Sequence, residues 1–577
     1  MFFNSPLWVG LVLVALLIGL IIFKIKPMIV FSLTSGVLFL TGSVTQNVFL
    51  SGFINSALVT LLLLIICSFA IEKTTFIKSF GQKFFGENKI INLIKLCVSC
   101  SVASGFTNNT AVVSTVMASI NQNKKLTPSH LLLPLSYACI VGGTLTLVGT
   151  STNLIVAGFV ETAGLNTLSM FSTTPIALIV LVAGLAVMIP AAYYLLPTNK
   201  PDILENNEYF IEAKVGANSS LINKTVLENG FRNLDALFLA EVIRNDKLIT
   251  PVDPNFQIQA NDKLMFAGDV NDLTTLNRFD GLKILNDDLA NISNNLVQAV
   301  VTADARISGK TIKQSNFRSL FNATVIGVRR GGQKVTGGLG KIKLKPGDAL
   351  LLAVGKDFKY RNNLKKNFIV LNEELGSGQL SSGLSKLVVA GFVLALGVAA
   401  VGAISLLKSL LVLLGFYLAV GALSIAEIRR RLPFEIVIIV GSAITVAHAM
   451  QSSGLAAYIS EIILVISSDY DVFGAFVVLF ITTVLLTELI TNNAAAALVF
   501  PIGLTLANHF NADPMPFIMA VAFGASASFL SPFGYQTNLM VYSAGQYQIK
   551  DYFKFGLPVS LVYCTTAIYV IPSVYGF

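Results

Sequence analysis

Thr107-Asn108-Asn109-Thr110, followed by Gly149-Thr150-Ser151-Thr152-Asn153-Leu154, is matched later in the chain by Thr491-Asn492-Asn493-Ala494, followed by Gly534-Tyr535-Gln536-Thr537-Asn538-Leu539. The offsets are 491 − 107 = 384 and 537 − 152 = 385, so both halves keep nearly the same internal distance. Each polar motif sits in strongly apolar surroundings. Duplicated amides at matched spacing inside hydrophobic segments point to a membrane transporter whose binding site lies between two structural repeats.

The composition agrees with a lipid-embedded chain. Of 577 residues, 54% are hydrophobic and only 12% charged, and the mean hydropathy is +0.73. A net charge of +9 would suggest a nucleic-acid partner in a soluble protein. Here the excess Lys and Arg lie in loops between apolar runs, as expected of membrane-orienting charge, and no nucleic acid is expected. The cysteines at 67, 97, 100, 139 and 564 lie in apolar segments, which suits reduced packing residues better than disulfides. Cys97 and Cys100 form a lone C-x-x-C, and His130, His448 and His509 are isolated, so no transition-metal site is expected.

Apolar runs of about twenty residues, enough to cross a bilayer, fall near 7–23, 27–43, 54–72, 130–160 and 172–196, and again near 385–403, 408–426, 433–452, 515–545 and 553–575. The segments 90–121 and 472–510 are apolar on both sides of a polar tip. Each reads as a re-entrant hairpin or as a full span with a polar kink. Loop charge separates the two readings. Lys24, Lys26, Lys73, Lys78, Lys83, Lys89, Lys124 and Lys125 should be cytoplasmic, whereas the loops near 44–53 and 161–171 lack Lys and Arg. If 90–121 returns to the side it left, Lys200, Arg429, Arg430, Arg431, Lys550 and Lys554 also fall inside. The amino terminus is then outside, five crossings precede the middle region, and the second repeat is inverted. The first apolar run lacks a basic segment ahead of it and reads as a span, not a signal peptide.

Residues 1–200 and 380–577 thus form two transmembrane repeats. Between them the composition becomes that of a soluble module, also duplicated: Lys224-Thr225 matches Lys310-Thr311, Phe231-Arg232 matches Phe317-Arg318, and Asp262 matches Asp348, each at an offset of 86 (310 − 224, 317 − 231, 348 − 262). Two small cytoplasmic α/β domains are expected over 205–290 and 291–376, with closing strands at 263–267 and 349–353. Gly331-Gly332 and Gly337-Gly338 lack a strand-loop-helix phosphate fingerprint.

Gly142-Gly143-Thr144-Leu145-Thr146-Leu147-Val148-Gly149-Thr150 with Asn153, together with an Asn-rich tip in each half, resembles the divalent anion:sodium symporter family, which carries dicarboxylates, citrate or sulfate. The middle pair resembles tandem C-terminal domains that regulate potassium conductance and uptake (TrkA-C or RCK-C type), a combination typical of one bacterial branch. The resemblance implies a polytopic α-helical membrane protein with inverted repeats, re-entrant hairpins and broken helices, working as an elevator-type homodimer in the bacterial inner membrane. It implies a small inorganic or organic di-anion as substrate, Na⁺ or H⁺ as coupling ion and no other cofactor. A small-molecule regulator of the cytoplasmic pair is a further expected partner. The family's usual tip is Ser-Asn-Thr; here the aligned residues are Asn108-Asn109-Thr110 and Asn492-Asn493-Ala494, which loses a hydroxyl at Ala494.

Substrate is expected at Asn108, Asn109, Thr110, Asn492 and Asn493, with Thr152, Asn153, Thr537 and Asn538 lining the same site from the broken helices. Cation binding is expected from Ser104, Thr107, Asn108, Asn109 and Gly149, and from Glu488, Thr491, Asn493 and Gly534. Ser104 and Glu488 each precede a tip Asn by four residues and read as repeat equivalents (488 − 104 = 384). An intramembrane carboxylate such as Glu488 is a functional candidate by default. No Lys or Arg lies in the tips or in 142–153 and 531–539, so helix ends and bound cations would have to neutralise an anion there. Lys95 should snorkel to the cytoplasmic edge. Among other classes, a cation/proton antiporter would use Glu488 as its proton site. The stretch 146–150 faintly resembles a potassium filter but lacks its Tyr, and no nucleophile-base pair suggests an enzyme.

Overall fold

A computed structural model describes residues 5–577 apart from 24, 55, 75–87, 123–126, 199–209, 232–233, 235–236, 246, 250–251, 269–275, 277, 286–295, 303–304, 332, 336–338, 355–357, 359–363, 372–379, 433 and 467–470. Of the residues invoked above, Lys24, Lys78, Lys83, Lys124, Lys125, Lys200, Arg232, Gly332, Gly337 and Gly338 lie outside the described residues.

Among the described residues the first half runs through helices Pro6–Ile21, Pro27–Leu40, Gln46–Phe53, Ser56–Glu72, Lys89–Phe106, Asn109–Gln122, Pro128–Gly143, Ser151–Thr162 and Thr174–Leu195. The second runs through Ser382–Ala400, Leu406–Ala419, Ile425–Arg431, Phe434–Ser452, Leu455–Ile466, Asp471–Leu489, Asn492–His509, Pro514–Ser526, Gln536–Ala544 and Ile549–Tyr575. The order of long, short, paired and interrupted helices is the same in both, except that Leu455–Ile466 has no counterpart among the described residues of the first half. Seven of the described helices are long and apolar enough to cross a membrane, and the chain is a multi-pass membrane protein. The starts of these helices follow ordinary rules. Proline opens Pro6–Ile21, Pro27–Leu40, Pro128–Gly143 and Pro514–Ser526, where no N–H is needed, and the Ser5 and Asp513 side chains cap two of them.

The two segments that read as hairpins are each a pair of helices broken at the tip. Lys89–Phe106 ends at Thr107, whose extended backbone (φ −138°, ψ 168°) stops it before Asn109–Gln122 begins. Asp471–Leu489 gives way to Asn492–His509 in the same manner. The predicted spans 130–160 and 515–545 are likewise interrupted, between Gly143 and Ser151 and between Ser526 and Gln536. The outgoing arm of each hairpin packs on the first segment of its broken helix, and Thr174–Leu195 packs along Ile549–Tyr575 to join the halves. A second group is formed by Pro27–Leu40, Ser56–Glu72, Ser382–Ala400, Leu406–Ala419 and Phe434–Ser452. It meets the first where Ser56–Glu72 touches Ser151–Thr162 and Phe434–Ser452 touches Asn492–His509.

Pro128–Gly143 is buried along its length except at His130, as expected of a helix that is apolar all round. Lys95 is exposed, and the five cysteines are free. Lys73, read from sequence as a loop charge, is instead buried: its ammonium donates to Glu427 (3.0 Å) and to the Ala422 carbonyl (2.9 Å). A buried ammonium requires such partners.

The middle region holds two five-stranded sheets. The first comprises β1 (Phe210–Val215), β2 (Leu237–Arg244), β3 (Lys247–Ile249), β4 (Lys263–Gly268) and β5 (Leu282–Leu285), in the order β3-β2-β4-β1-β5. The second comprises β6 (Leu296–Val301), β7 (Ala323–Arg330), β8 (Gln333–Lys334), β9 (Ala349–Val354) and β10 (Phe368–Val370), in the equivalent order β8-β7-β9-β6-β10. The offset of 86 extends to the bulges, at 239/241 and 325/327, and to ion pairs Arg244–Asp262 and Arg330–Asp348, both 2.7 Å. In each, the hydrogen-bonded carboxylate raises the guanidinium pKa above its ordinary value. All the strand pairings are antiparallel, and α-helix among the described residues is limited to Phe317–Phe321 and Leu364–Asn367. Antiparallel neighbours need only turns, not helical crossovers.

The second sheet unit rests directly on Gln536–Ala544. The Ser543 hydroxyl donates to the Gly347 carbonyl. Gly347 is left-handed (φ +82°), and a Cβ there would stand 2.7 Å from the Leu539 side chain; Gly331 (φ +59°) would meet the Tyr542 hydroxyl at 2.7 Å. Gly347→Val therefore adds both steric overlap and about 1–2 kcal/mol of backbone strain. Limited proteolysis of the detergent-solubilised protein should show faster cleavage between residues 200 and 380, and an unchanged digestion rate would refute a tight dock.

Candidate functional site

Side-chain bonds at the two tips fix how the halves correspond. Ser104 donates to the Asn109 side-chain oxygen and to the Cys139 carbonyl (2.9 Å). Thr487 donates to the Asn492 side-chain oxygen (3.0 Å) and to the Ala525 carbonyl (2.7 Å). The two pairs share one spacing, 109 − 104 = 5 and 492 − 487 = 5. This corrects the sequence reading: the equivalent of Ser104 is Thr487, and Glu488 stands where the first half has Gly105. The register of the tips moves by one residue as well. Asn108-Asn109-Thr110 corresponds to Thr491-Asn492-Asn493, so a hydroxyl is present at Thr491 and Ala494 is not its counterpart. The repeated Thr-Asn-Asn lettering is a near-coincidence that hides the true alignment.

Each hairpin tip meets the broken helix of the opposite half. The Asn109 amide donates to the Tyr535 hydroxyl (2.8 Å), and Thr110 Oγ1 lies 3.4 Å from Gln536 Oε1. In the mirror arrangement, Ser151 and Thr152 donate to Asn493 Oδ1 at 3.2 and 3.5 Å. Helices starting at Asn109, Ser151, Asn492 and Gln536 therefore bring four N-terminal ends into one region. Asn108 caps the first of them by accepting from the Thr110 N–H (2.8 Å). Thr107 donates to the Ala103 carbonyl (2.7 Å) within its own helix. Thr491 is exposed at the second tip.

Several residues expected to line the site brace it instead. The Asn153 amide donates to the Thr146 carbonyl (3.1 Å), and the Asn538 amide to the Ser528 and Ser531 carbonyls (3.0 and 3.3 Å). These carbonyls are freed where the helices break, and a buried carbonyl needs a donor. Ser136 donates to Thr537 and Asn538 (2.8 and 2.7 Å), tying the broken helices together. Thr537 and Asn538 are fully buried. Gly149 serves close approach: a Cβ there would lie 2.9 Å from the Ser104 carbonyl oxygen and overlap that of Gly143.

Glu488 Oε1 accepts from the Phe529 and Leu530 N–H groups at 2.7 and 2.8 Å. Its Oε2, the Ser528 hydroxyl and the Asn492 amide nitrogen are buried without a hydrogen-bond partner. Sequence reasoning missed Tyr535, Gln536, Ser151, Ser136, Thr487 and Ser528. Only Thr487 left a readable signal, its five-residue spacing to Asn492. The others are ordinary polar residues whose relevance depends on the fold.

A citrate transporter family profile matches residues 9–512 and 476–576. The chain is 28% identical over 570 residues to the uncharacterized transporter sll0640 of Synechocystis sp., covering 94% of this chain and 93% of that one. It is 29% identical over 371 residues to sodium/sulfate cotransporter 2 of Chlamydomonas reinhardtii, covering 61% of this chain and 42% of the cotransporter. Solute carrier family 13 member 4 of Homo sapiens is 30% identical over 136 residues, 24% of this chain and 22% of that protein.

Proposed function

The chain belongs to the citrate transporter family, and from that premise we propose that it is a secondary active symporter moving a small divalent anion, sulfate or a dicarboxylate, with Na⁺. It is a transporter, not an enzyme, like the proteins it matches. The observation that carries the anion assignment is the convergence of four helix N-termini with the amides of Asn109, Asn492 and Asn493 in a region without Lys or Arg. Partial positive charge at helix ends and amide donors favour oxyanions. Two negative charges would exceed what these groups neutralise, and co-bound cations supply the balance. The sodium/sulfate name of the Chlamydomonas relative supports Na⁺.

Substrate contacts fall to Asn108, Asn109, Thr110, Asn492 and Asn493, with Thr152 beside Asn493. Ser104, with the carbonyls crowding Gly149, holds cation in the first half. Matching element order in the two halves supports inverted repeats. The interface between the two helix groups supports an elevator motion, the group carrying the tips sliding against the other in a homodimer. The sheet unit docked on Gln536–Ala544 supports regulation through the cytoplasmic pair.

Uptake of labelled sulfate and of labelled succinate into proteoliposomes, under separate Na⁺ and pH gradients, tests this reading. One of the two anions should accumulate under an inward Na⁺ gradient. Absence of uptake of either under any gradient would sink the symporter, and proton-driven cation exchange would establish the antiporter instead.

A further inference from the structure

We propose that the cavity between the second sheet unit and the membrane helices is a binding site for a small tetrahedral oxyanion, sulfate or the phosphate group of a larger molecule, whose binding clamps the two together. The cavity measures about 300 Å³ and is lined by Arg330 and Gln333 from the sheet and by Tyr542, Gln548, Ile549 and Lys550 from the membrane helices. Its two cations come from opposite walls. An anion held between them bridges the two bodies, and a ligand that binds only the docked arrangement stabilises it.

The carboxylates near the cavity already have partners inside the protein. Asp348 accepts from Arg330 Nε and Nη2 at 2.7 and 2.8 Å and from the Lys345 N–H at 2.8 Å. Asp551, buried in the first turn of Ile549–Tyr575, accepts from the Gln548 N–H at 2.7 Å. The donors are not matched in this way. Among the described residues, Arg330 Nη1, the exposed Lys550 ammonium and the Tyr542 hydroxyl have no hydrogen-bond acceptor. Ile549 and Lys550 are also the first two residues of a 27-residue helix, where N–H groups lack intrahelical acceptors. Sulfate or phosphate accepts from all of these groups at once.

Both internal duplications depart from symmetry at this junction. In the first sheet unit the places of Gly331 and Gly347 are held by Asn245 and Asn261 (331 − 245 = 86, 347 − 261 = 86), which are left-handed as well, with φ of +51° and +66°. Conformation alone does not call for glycine there. Clearance does, because a Cβ at Gly331 would meet Tyr542 and one at Gly347 would meet Leu539. In the membrane repeats, Tyr542 and Ser543 stand where the first half has Ala157 and Gly158 (542 − 157 = 385, 543 − 158 = 385). Four departures in two unrelated duplications meet at one contact, as in a built joint. The joint also reaches the transport site. Gln536–Ala544 is nine residues, roughly 14 Å, and its other end sets Tyr535 and Gln536 against Asn109 and Thr110. This link to transport rests on the symporter reading, and the oxyanion site does not.

Limited proteolysis of the detergent-solubilised full-length protein, titrated separately with sulfate and with inorganic phosphate at ionic strength held constant with chloride, tests the site. At least one anion should slow cleavage between residues 200 and 380; protection by sulfate alone would identify a sulfate site, and by phosphate alone a site for a phosphate-bearing ligand. Lys550→Gln should raise the concentration for half-protection at least about tenfold, and Tyr542→Phe about threefold. Asn109→Asp should leave it unchanged, because that residue belongs to the transport site. Absence of protection by either anion, half-protection unmoved in Lys550→Gln, or protection lost in Asn109→Asp would overturn the proposal. Should Lys550→Gln fail to fold, an unmoved value in Tyr542→Phe overturns it alone. Sulfate and succinate uptake by the wild type is measured in parallel. Protection that depends on Lys550 in a protein that transports neither anion would remove the symporter reading and leave the oxyanion site standing.

Discussion

Asn109→Asp is expected to abolish anion uptake while leaving the fold intact. The substitution keeps the shape of the side chain and its bond from Ser104. The Tyr535 hydroxyl, which now accepts from the Asn109 amide at 2.8 Å, can rotate and donate to a carboxylate. What changes is charge. A carboxylate about 5 Å from a di-anion in a medium of effective dielectric near 20 repels it by several kcal/mol, of which we expect about 3 kcal/mol to survive water and counter-ions. The initial rate of uptake at subsaturating anion should fall at least about a hundredfold. Thermal unfolding of the detergent-solubilised variant should stay within about 3 °C of the wild type. Uptake within threefold of the wild type would show that Asn109 does not face the anion.

Gly142→Val should prevent folding altogether. Helix Pro128–Gly143 crosses Lys89–Phe106 so closely that a Cβ at Gly142 would lie 2.7 Å from the Ser101 carbonyl carbon and nearer to its Cα and oxygen. The obstacle is backbone, which cannot step aside by a rotamer change. Separating the helices would break the bonds from Ser101 to Ala138 (2.9 Å) and from Ser104 to Cys139. Small residues at such crossings are what allow helices to pack in lipid, and the expected loss is more than about 4 kcal/mol. Fluorescence-detected size exclusion should show aggregate only. A monodisperse peak at wild-type yield would mean that the crossing is looser than described.

The extent to which the chain could be read in advance follows from the kind of signal involved. Spans, breaks and the duplicated middle region were legible because each leaves a periodic or compositional trace: long apolar runs, polar tips, and an offset of 86 that the ion pairs Arg244–Asp262 and Arg330–Asp348 repeat. Lys73 misled because a charge near a helix end looks the same whether it meets water or Glu427. The pairing of Ser104 with Glu488 misled because lettering alone aligned Thr-Asn-Asn with Thr-Asn-Asn. The hydrogen bonds from Ser104 and Thr487 place the equivalence one residue away.

By itself, then, the sequence determined that this is a polytopic membrane protein with two polar, broken elements in each half, because lipid forbids unpaired backbone and only a few residue patterns satisfy it. Tertiary structure alone decided which polar side chains remain available. Asn153 and Asn538 are consumed in bracing their own loops, whereas Asn109 and Asn493 reach the opposite half and Glu488 is left with an unpartnered oxygen. Partnership is a property of distances between segments hundreds of residues apart, and no local pattern encodes it.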